Sequence, residues 1–208
     1  RQVTLGLVGE GLVLNKFYNE SQYVNGLTVG GICSGDENQL KDFDDDLILT
    51  QDFDELLNNV DAIFIVSHPS KHYKQAKKAL EKGVNVLCES PIALKEEELC
   101  ELFKLAKKNN LILMDSIKTA YSTAYNRLLA KKGKIGDVIS VDATCTSLAD
   151  GSGDDWNSIT AWGPTALLPV FQLLGTDYKD KNINSLLLDS AENFDLFTKI
   201  DFTYPNAV

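Results

Sequence analysis

Histidine is nearly missing from this chain: His68 and His72 are the only two in 208 residues. A histidine-built metal centre therefore has too few ligands. Cysteine is almost as sparse, and Cys33, Cys88, Cys100 and Cys145 form no Cys-x-x-Cys pair. Neither a zinc site nor a disulfide framework follows; the four read as reduced, mostly buried thiols of a cytoplasmic protein, and no metal is expected. Positive charge is in deficit, with 20 Lys and Arg against 30 Asp and Glu and a net charge of −10. No basic patch is available to release counterions, so nucleic acid is not an expected partner. No apolar run approaches the roughly 20 residues that span a bilayer, and no signal-peptide pattern is present, so no membrane is expected either. What remains is ordinary for a globular protein, 44% hydrophobic and 24% charged, with enough chain for one large domain or two smaller ones.

What the chain does have is a strand, a glycine turn and a helix at its start. Val3-Thr4-Leu5-Gly6-Leu7-Val8 is a short apolar run with the character of a buried parallel strand. Gly9-Glu10-Gly11 follows, and then Leu14, Phe17 and Tyr18 supply an apolar helix face. Such a turn presents backbone N–H groups and the positive end of a helix dipole, the setting in which a dinucleotide diphosphate binds. Gly9 permits the turn and Gly11 lets a phosphate approach without meeting a Cβ; Gly9, Glu10, Gly11, Leu12 and Val13 are the candidate contacts. Leu14 stands where that fingerprint usually has a small residue. Glu10 places a carboxylate beside two phosphate charges, at a cost on the order of 1 kcal/mol if desolvated.

The second strand, residues 27–33, opens onto Ser34, Gly35 and Asp36. At this place an acidic side chain binds ribose hydroxyls and a basic one accommodates a 2′-phosphate. Ser34 is the candidate contact. Asp36 comes about two residues late for the acidic role and no arginine is present, so the cofactor preference, NAD or NADP, is not encoded legibly here. The acidic run 42–46 reads as a solvated loop. Residues 47–49 suggest a third strand, and Asp52 stands as N-cap before Phe53, Leu56, Leu57 and Val60 at helical spacing. Residues 62–66 are a buried strand. The loop 67–72 leads into a helix carrying Tyr73, Ala76, Ala79 and Leu80 on one face and closed by Gly83. Residues 84–88 form the next strand and run into Glu89-Ser90-Pro91. A helix with Leu99, Leu102, Phe103 and Ala106 and a sixth strand at 111–114 complete the alternation. Over residues 1–118 this predicts a Rossmann-type doubly wound parallel sheet with right-handed crossovers.

Residues 119–208 change character. A helix with Tyr125, Leu128 and Leu129 ends near Gly133, and residues 138–147 alternate like an open-faced strand. The stretch 149–157 reads as a mobile loop, and 164–174 as a helix that Pro169 should kink or interrupt. Residues 183–188 and 197–204 look like further strands. The chain then reaches Tyr204-Pro205-Asn206, a turn signal that normally leads into another strand. The expectation is an incomplete α+β second domain with an open mixed sheet.

Three segments point to a known family. Gly83-Val84-Asn85-Val86-Leu87-Cys88-Glu89-Ser90-Pro91-Ile92-Ala93 follows the pattern Gly-x-x-Val-x-x-Glu-Lys-Pro-x-Ala, with serine at the lysine. Gly133-Lys134-Ile135-Gly136-Asp137-Val138 follows Gly-x-Ile-Gly-Glu-Val, and residues 67–72 with the helix behind them follow a Thr-Pro-x-x-x-His loop. With these, the chain resembles the Gfo/Idh/MocA family of NAD(P)-dependent oxidoreductases. The resemblance implies NAD or NADP as cofactor, with contacts extending to Ser67, His68, His72, Glu89 and Pro91. It implies a small-molecule substrate, a sugar-like or cyclitol alcohol, and a second domain that forms the substrate pocket and a homo-oligomer interface through its sheet. It also implies that Ser90 occupies the position of the catalytic lysine. A serine hydroxyl carries no titratable proton near neutral pH. Ala161 and Thr165 fall where the family often has an Asp and a His, and Ala120 where it often has an Arg. Lys118, Tyr121 and Asp115 are the groups able to substitute. The competing expectation is a catalytically silent nucleotide-binding or assembly module.

Overall fold

Period-two alternation in the first strand feeds two separate cores. The computed structural model describes residues 2–44, 46–146, 157–187 and 195–207. Strands β1 (Val3–Gly9), β2 (Leu27–Cys33), β3 (Ile48–Thr50), β4 (Ala62–Val66), β5 (Asn85–Cys88) and β6 (Leu113–Asp115) form one sheet. Its order is β3-β2-β1-β4-β5-β6, and every neighbouring pair is parallel. Helices α1 (Leu12–Ser21), α2 (Glu37–Leu40), α3 (Phe53–Leu57), α4 (Pro69–Glu81) and α5 (Glu96–Lys108) make the crossovers. Leu5, Leu7 and Phe64 join Leu14, Val29, Ile32 and Phe43 in one core. Their neighbours Val8, Ile63 and Ile65 join Leu56, Leu80 and Leu102 in the other. Doubly wound architecture is the outcome of that division.

The predicted caps are in place. Asp52 accepts from the N–H groups of Asp54 at 2.8 Å and Glu55 at 3.4 Å at the start of α3. Gly83, at φ +84°, follows the last turn of α4. Strands β3 and β6 begin one and two residues later than the hydrophobic runs suggest, within the fraying expected at element ends. Leu14 is fully buried, so this position of the turn motif serves the core directly. Leu56 occupies a trough made by two glycines: a Cβ on Gly6 or on Gly31 would lie 2.9 Å from its methyl carbons. Of the cysteines, Cys33 and Cys88 are buried, Cys145 is half-buried and Cys100 is exposed on α5, so the expectation of mostly buried thiols holds for only part of the set. Burial pushes the Cys33 thiol up to about 11, which leaves it protonated and unreactive at neutral pH.

The chain divides into two units, Arg1–Ser116 and Ile117–Val208. The second holds α6 (Lys118–Tyr121), α7 (Thr123–Lys131), a 3₁₀ turn (Lys132–Lys134), α8 (Ser158–Leu174) and an antiparallel pair, β7 (Asp180–Leu187) with β8 (Asp195–Thr203). Two expectations are corrected here. Residues 138–146 carry no strand: alternation alone does not make one, and among the described residues nothing pairs with them. Their expected sidedness holds only in part: Val141, Ala143 and Cys145 are half-buried and Asp142 and Thr144 exposed, but Ile139, expected on the apolar side, is 73% exposed. Pro169 does not interrupt α8, which begins at Ser158 and runs through both Pro164 and Pro169. Each proline removes one backbone donor, but both ends of the helix are held. Asn157 and Thr160 form a capping box, and Asp195 accepts from the Ser158 N–H at 2.7 Å and from the Ser158 and Thr198 hydroxyls. At the other end Lys132 reaches the Leu173 carbonyl, and the Tyr204 hydroxyl donates to the Gly175 carbonyl at 2.8 Å. Burial works to raise the Asp195 carboxyl, yet these hydrogen bonds hold it below its ordinary value. Phe171, Tyr178, Phe202 and Tyr204 pack as one aromatic cluster. The predicted loop 149–157 lies outside the described residues except for Asn157, which proves to be the N-cap, as do Ser147 and Leu188 at the ends of two predicted strands.

Candidate functional site

Strands β1 and β4 are neighbours from which the chain winds to opposite faces, and the crevice beyond their carboxyl ends is where such sheets bind ligands. Gly9 ends β1 at φ +128°, and a Cβ there would lie 2.5 Å from the backbone nitrogen of Ser67 at the end of β4. The glycine therefore lets the two strand ends close together. Gly11 is the N-cap of α1 at φ +91°; it has open space where a Cβ would project, and no side chain caps the helix. The first-turn N–H groups, including those of Leu12 and Val13, have no intrahelical partner by geometry. Leu12 and Val13 are exposed, and so is Glu10, whose charge is thereby solvated. These features fit a diphosphate.

A residue that carries no sequence signal completes the turn. Gln39, buried in the short α2, accepts the Gly11 N–H at 2.8 Å through Oε1 and donates to Asn15 Oδ1 at 2.6 Å through Nε2. Ser34 is buried at the end of β2, where its N–H donates to the Thr50 carbonyl at 3.2 Å and its Oγ accepts from the Asp36 N–H at 3.1 Å. Asp36 in turn caps α2, accepting the Asn38 N–H at 2.9 Å. Its carboxylate is thus engaged at a helix terminus. Gly35 beside it is exposed, with nothing near its Cβ direction.

The loops after β4 and β5 are tied by one imidazole. His72 is buried on α4, with Nε2 2.7 Å from the Ser67 carbonyl and Nδ1 2.8 Å from the Pro91 carbonyl. Burial lowers its pKa, against the pull of those two carbonyls. Both partners are acceptors, so the neutral ring donates to one of them and only the protonated ring donates to both. His68 is exposed and caps α4, accepting the Ser70 N–H at 3.3 Å. The Ser67 hydroxyl donates to Gln75 at 2.5 Å.

At the carboxyl ends of β5 and β6 four side chains gather: Glu89, Ser90, Asp115 and Ser116. The Glu89 N–H donates to the Ile65 carbonyl at 2.8 Å, and its Oε1 accepts the Ser116 hydroxyl at 3.3 Å. Asp115 stands in register with Cys88. Burial raises the Asp115 carboxyl to about 6; Glu89 pushes the same way, while the Ser90 hydroxyl and the Ile92 N–H pull against it. The Ser90 Oγ is buried beside this carboxyl yet completes no hydrogen bond of full geometry. A proton-carrying group therefore does exist next to Ser90, on the adjacent strand. Lys118 and Tyr121 are the exposed positions of α6, the helix that opens the second unit. Among the described residues no His, Cys, Asp or Glu cluster is arranged to hold a metal, and no helix is long and apolar enough to cross a membrane.

A six-stranded parallel sheet in this order, with a glycine-opened helix at its switch point, defines a Rossmann-type dinucleotide-binding protein. Residues 3–116 match the sequence model of the Gfo/Idh/MocA oxidoreductase family, described as having an NAD-binding Rossmann fold, and the chain belongs to that family, whose members bind NAD(P). It is 36% identical over 100 residues to the uncharacterised oxidoreductase YhhX of Escherichia coli K12, a match covering 45% of this chain and 28% of that protein. It is 36% identical over 78 residues to the NADP-dependent scyllo-inositol 2-dehydrogenase IolU of Bacillus subtilis 168, covering 38% of this chain and 24% of the relative. The matched part thus spans about a quarter of each. Among solved structures, biliverdin reductase of Synechocystis with biliverdin and NADP+ superposes on 99% of the chain with a TM-score of 0.80 at 17% identity, covering 69% of that structure, a likeness of fold alone.

Proposed function

We propose that the chain is the cofactor-binding part of an oxidoreductase that moves a hydride between a nicotinamide and the alcohol or carbonyl carbon of a sugar-like or cyclitol substrate. The observation that carries this reading is the open, uncapped Gly9–Gly11 turn at the switch point of the sheet. Similarity to an inositol dehydrogenase supports the substrate class. When bound, the nicotinamide cofactor supplies the hydride acceptor or donor. The Leu12 and Val13 amides hold the diphosphate, Ser34 lies toward the ribose, and the loops tied by His72 border the nicotinamide end along with Glu89 and Pro91. Asp115 takes the hydroxyl proton of an alcohol substrate, or returns it to a carbonyl oxygen, with the buried Ser90 hydroxyl beside it orienting the carboxyl. Lys118 and Tyr121 are proposed as further polar groups for the substrate. Calorimetric titration with NADH and NADPH tests the cofactor half: binding with a Kd below about 1 mM is expected, and silence with both removes the dinucleotide reading.

Ser90 at the lysine position, with Ala120, Ala161 and Thr165 at three other positions, favours a second reading as a silent binding or assembly module. Assays against a panel of sugars and cyclitols separate the two, because cofactor binding with no turnover on any of them supports the silent form. We further propose that the second unit pairs with a second copy through its sheet. Leu186 and Phe197 are cross-strand partners on one face of β7 and β8, both more than half exposed, and Ile183 on the other face is about half exposed, apolar surface that monomers seldom leave to water. Sedimentation at tens of micromolar is expected to show a dimer or larger species, and a clean monomer would overturn the pairing.

A further inference from the structure

Gly11 and Gln39 form a contact that the cofactor reading does not use. Gly11 sits at φ +91°, in backbone territory that only glycine occupies cheaply, and glycine is the residue least able to hold itself there. The restraint comes from outside the turn. Gln39 Oε1 accepts the Gly11 N–H at 2.8 Å, and Nε2 donates to Asn15 Oδ1 at 2.6 Å. Asn15 lies one helical turn along α1, and its own N–H donates to the Gly11 carbonyl at 3.3 Å. The orientation of the carboxamide is not arbitrary, because a backbone N–H can only donate, so the oxygen must face Gly11 and the nitrogen Asn15. The side chain is 8% exposed, held by an α2 that Asp36 caps. The ring Gly11–Gln39–Asn15 is closed on its buried side, while the direction of a Gly11 Cβ is open.

Two consequences follow for an anionic ligand. The Gly11 N–H already has its acceptor, so a diphosphate takes the next amides, those of Leu12 and Val13. The acceptor is also neutral, at a turn that already carries Glu10. A glutamate at position 39 could make the same bond to Gly11, but it would set a second carboxylate against the phosphates.

We propose that Gln39 is the positioning residue of the phosphate turn: its carboxamide, locked between Gly11 and Asn15, presets the turn for a dinucleotide, and its neutrality is a condition of binding. The proposal rests on the cofactor reading above. Its test is NADH titration of wild type, Gln39→Leu, Gln39→Glu and Asn15→Leu, with amide NMR shifts recorded alongside. Gln39→Leu and Asn15→Leu should each weaken NADH about three- to tenfold, the worth of one neutral hydrogen bond. Gln39→Glu should weaken it about tenfold further, and the gap between the Glu and Leu variants should narrow in about 0.5 M salt. In wild type the Leu12 and Val13 amides should shift on NADH addition and Gly11 should shift least. Wild-type binding with undiminished or tighter binding by Gln39→Leu would overturn the proposal and mark Gln39 as a competitor for the site. A Gln39→Glu variant equal to Gln39→Leu at low salt would overturn the neutrality condition. Absence of wild-type binding would instead defeat the cofactor reading itself. Should Gln39→Leu fail to fold, Gln39→Glu retains a partner for Gly11 and carries the test.

Discussion

Asp115→Asn is expected to slow hydride transfer about 10²–10⁴-fold on a substrate the protein accepts, the usual loss when an acid–base group is removed, and at the same time to stabilise the fold at neutral pH. The two effects share one cause. In the folded protein the Asp115 carboxyl is raised from 3.8 to about 6, first by burial and then by the Glu89 charge. The fold therefore favours the protonated acid. That contribution is complete below about pH 4 and is lost as pH rises through about 6, beyond which wild type carries a buried charge. The shift corresponds to at most about 3 kcal/mol, and partial solvent access reduces it. Asparagine keeps the shape without the charge. Thermal melts should show the variant more stable at pH 7 by about 1–3 kcal/mol, with the difference closing toward pH 4. A stability difference that ignores pH would show that Asp115 does not titrate as described. Undiminished turnover would move the proton-carrying role to Lys118 or Tyr121.

Gly9→Ala is expected to destabilise the first unit by about 3 kcal/mol or more, enough to unfold a protein of ordinary stability. The new methyl would lie 2.5 Å from the Ser67 backbone nitrogen, and neither atom sits on a flexible side chain. The backbone at φ +128° adds strain of about 1–3 kcal/mol for any residue with a Cβ. Gly11→Ala is the informative contrast. Its Cβ meets nothing within 4 Å, so only the backbone cost of φ +91° and ψ −172° remains, about 1–3 kcal/mol. The methyl would, however, stand in the space proposed for a phosphate. Urea unfolding should separate the two variants by about 2 kcal/mol, and NADH titration of the folded Gly11→Ala should show weakened binding. Equal stabilities would contradict the close approach of β1 and β4.

Most of the first unit was legible because its signals are local. Asp52 announces a cap, Gly83 a helix end, and continuous apolar runs such as 62–66 a strand buried on both faces. Gly9 and Gly11 announced the turn, though not that each glycine has its own reason, one a neighbour's backbone and the other open space. Gln39 was invisible, since its importance depends on α2 folding back toward β1, and a glutamine in a polar stretch has no periodicity to betray it. Asp115 was legible as one of three groups able to stand in for the lysine lost at Ser90, but not that it is the one beside it: 25 residues apart, the two meet because β5 and β6 are adjacent and in register. The second unit was harder to read. Residues 138–146 alternate, but a strand is made by its partner, and α8 passes through Pro169 because its ends are anchored from elsewhere in the chain.

The trough beneath Leu56 also bears on how this molecule opens. Helix α3 has five residues, too few to persist unaided, and β3, which precedes it, has three. Leu56, seated between Gly6 and Gly31, is the side chain that clasps this outer margin of the sheet to its centre. Residues 48–57 are thus set to detach as a unit in brief local excursions when Leu56 and its buried neighbour Leu57 leave their seats and Asp54 releases Lys78 and Lys82 of α4, while β1, β4 and β5 stay protected. The amide exchange rate along this margin would then report how often that clasp lets go.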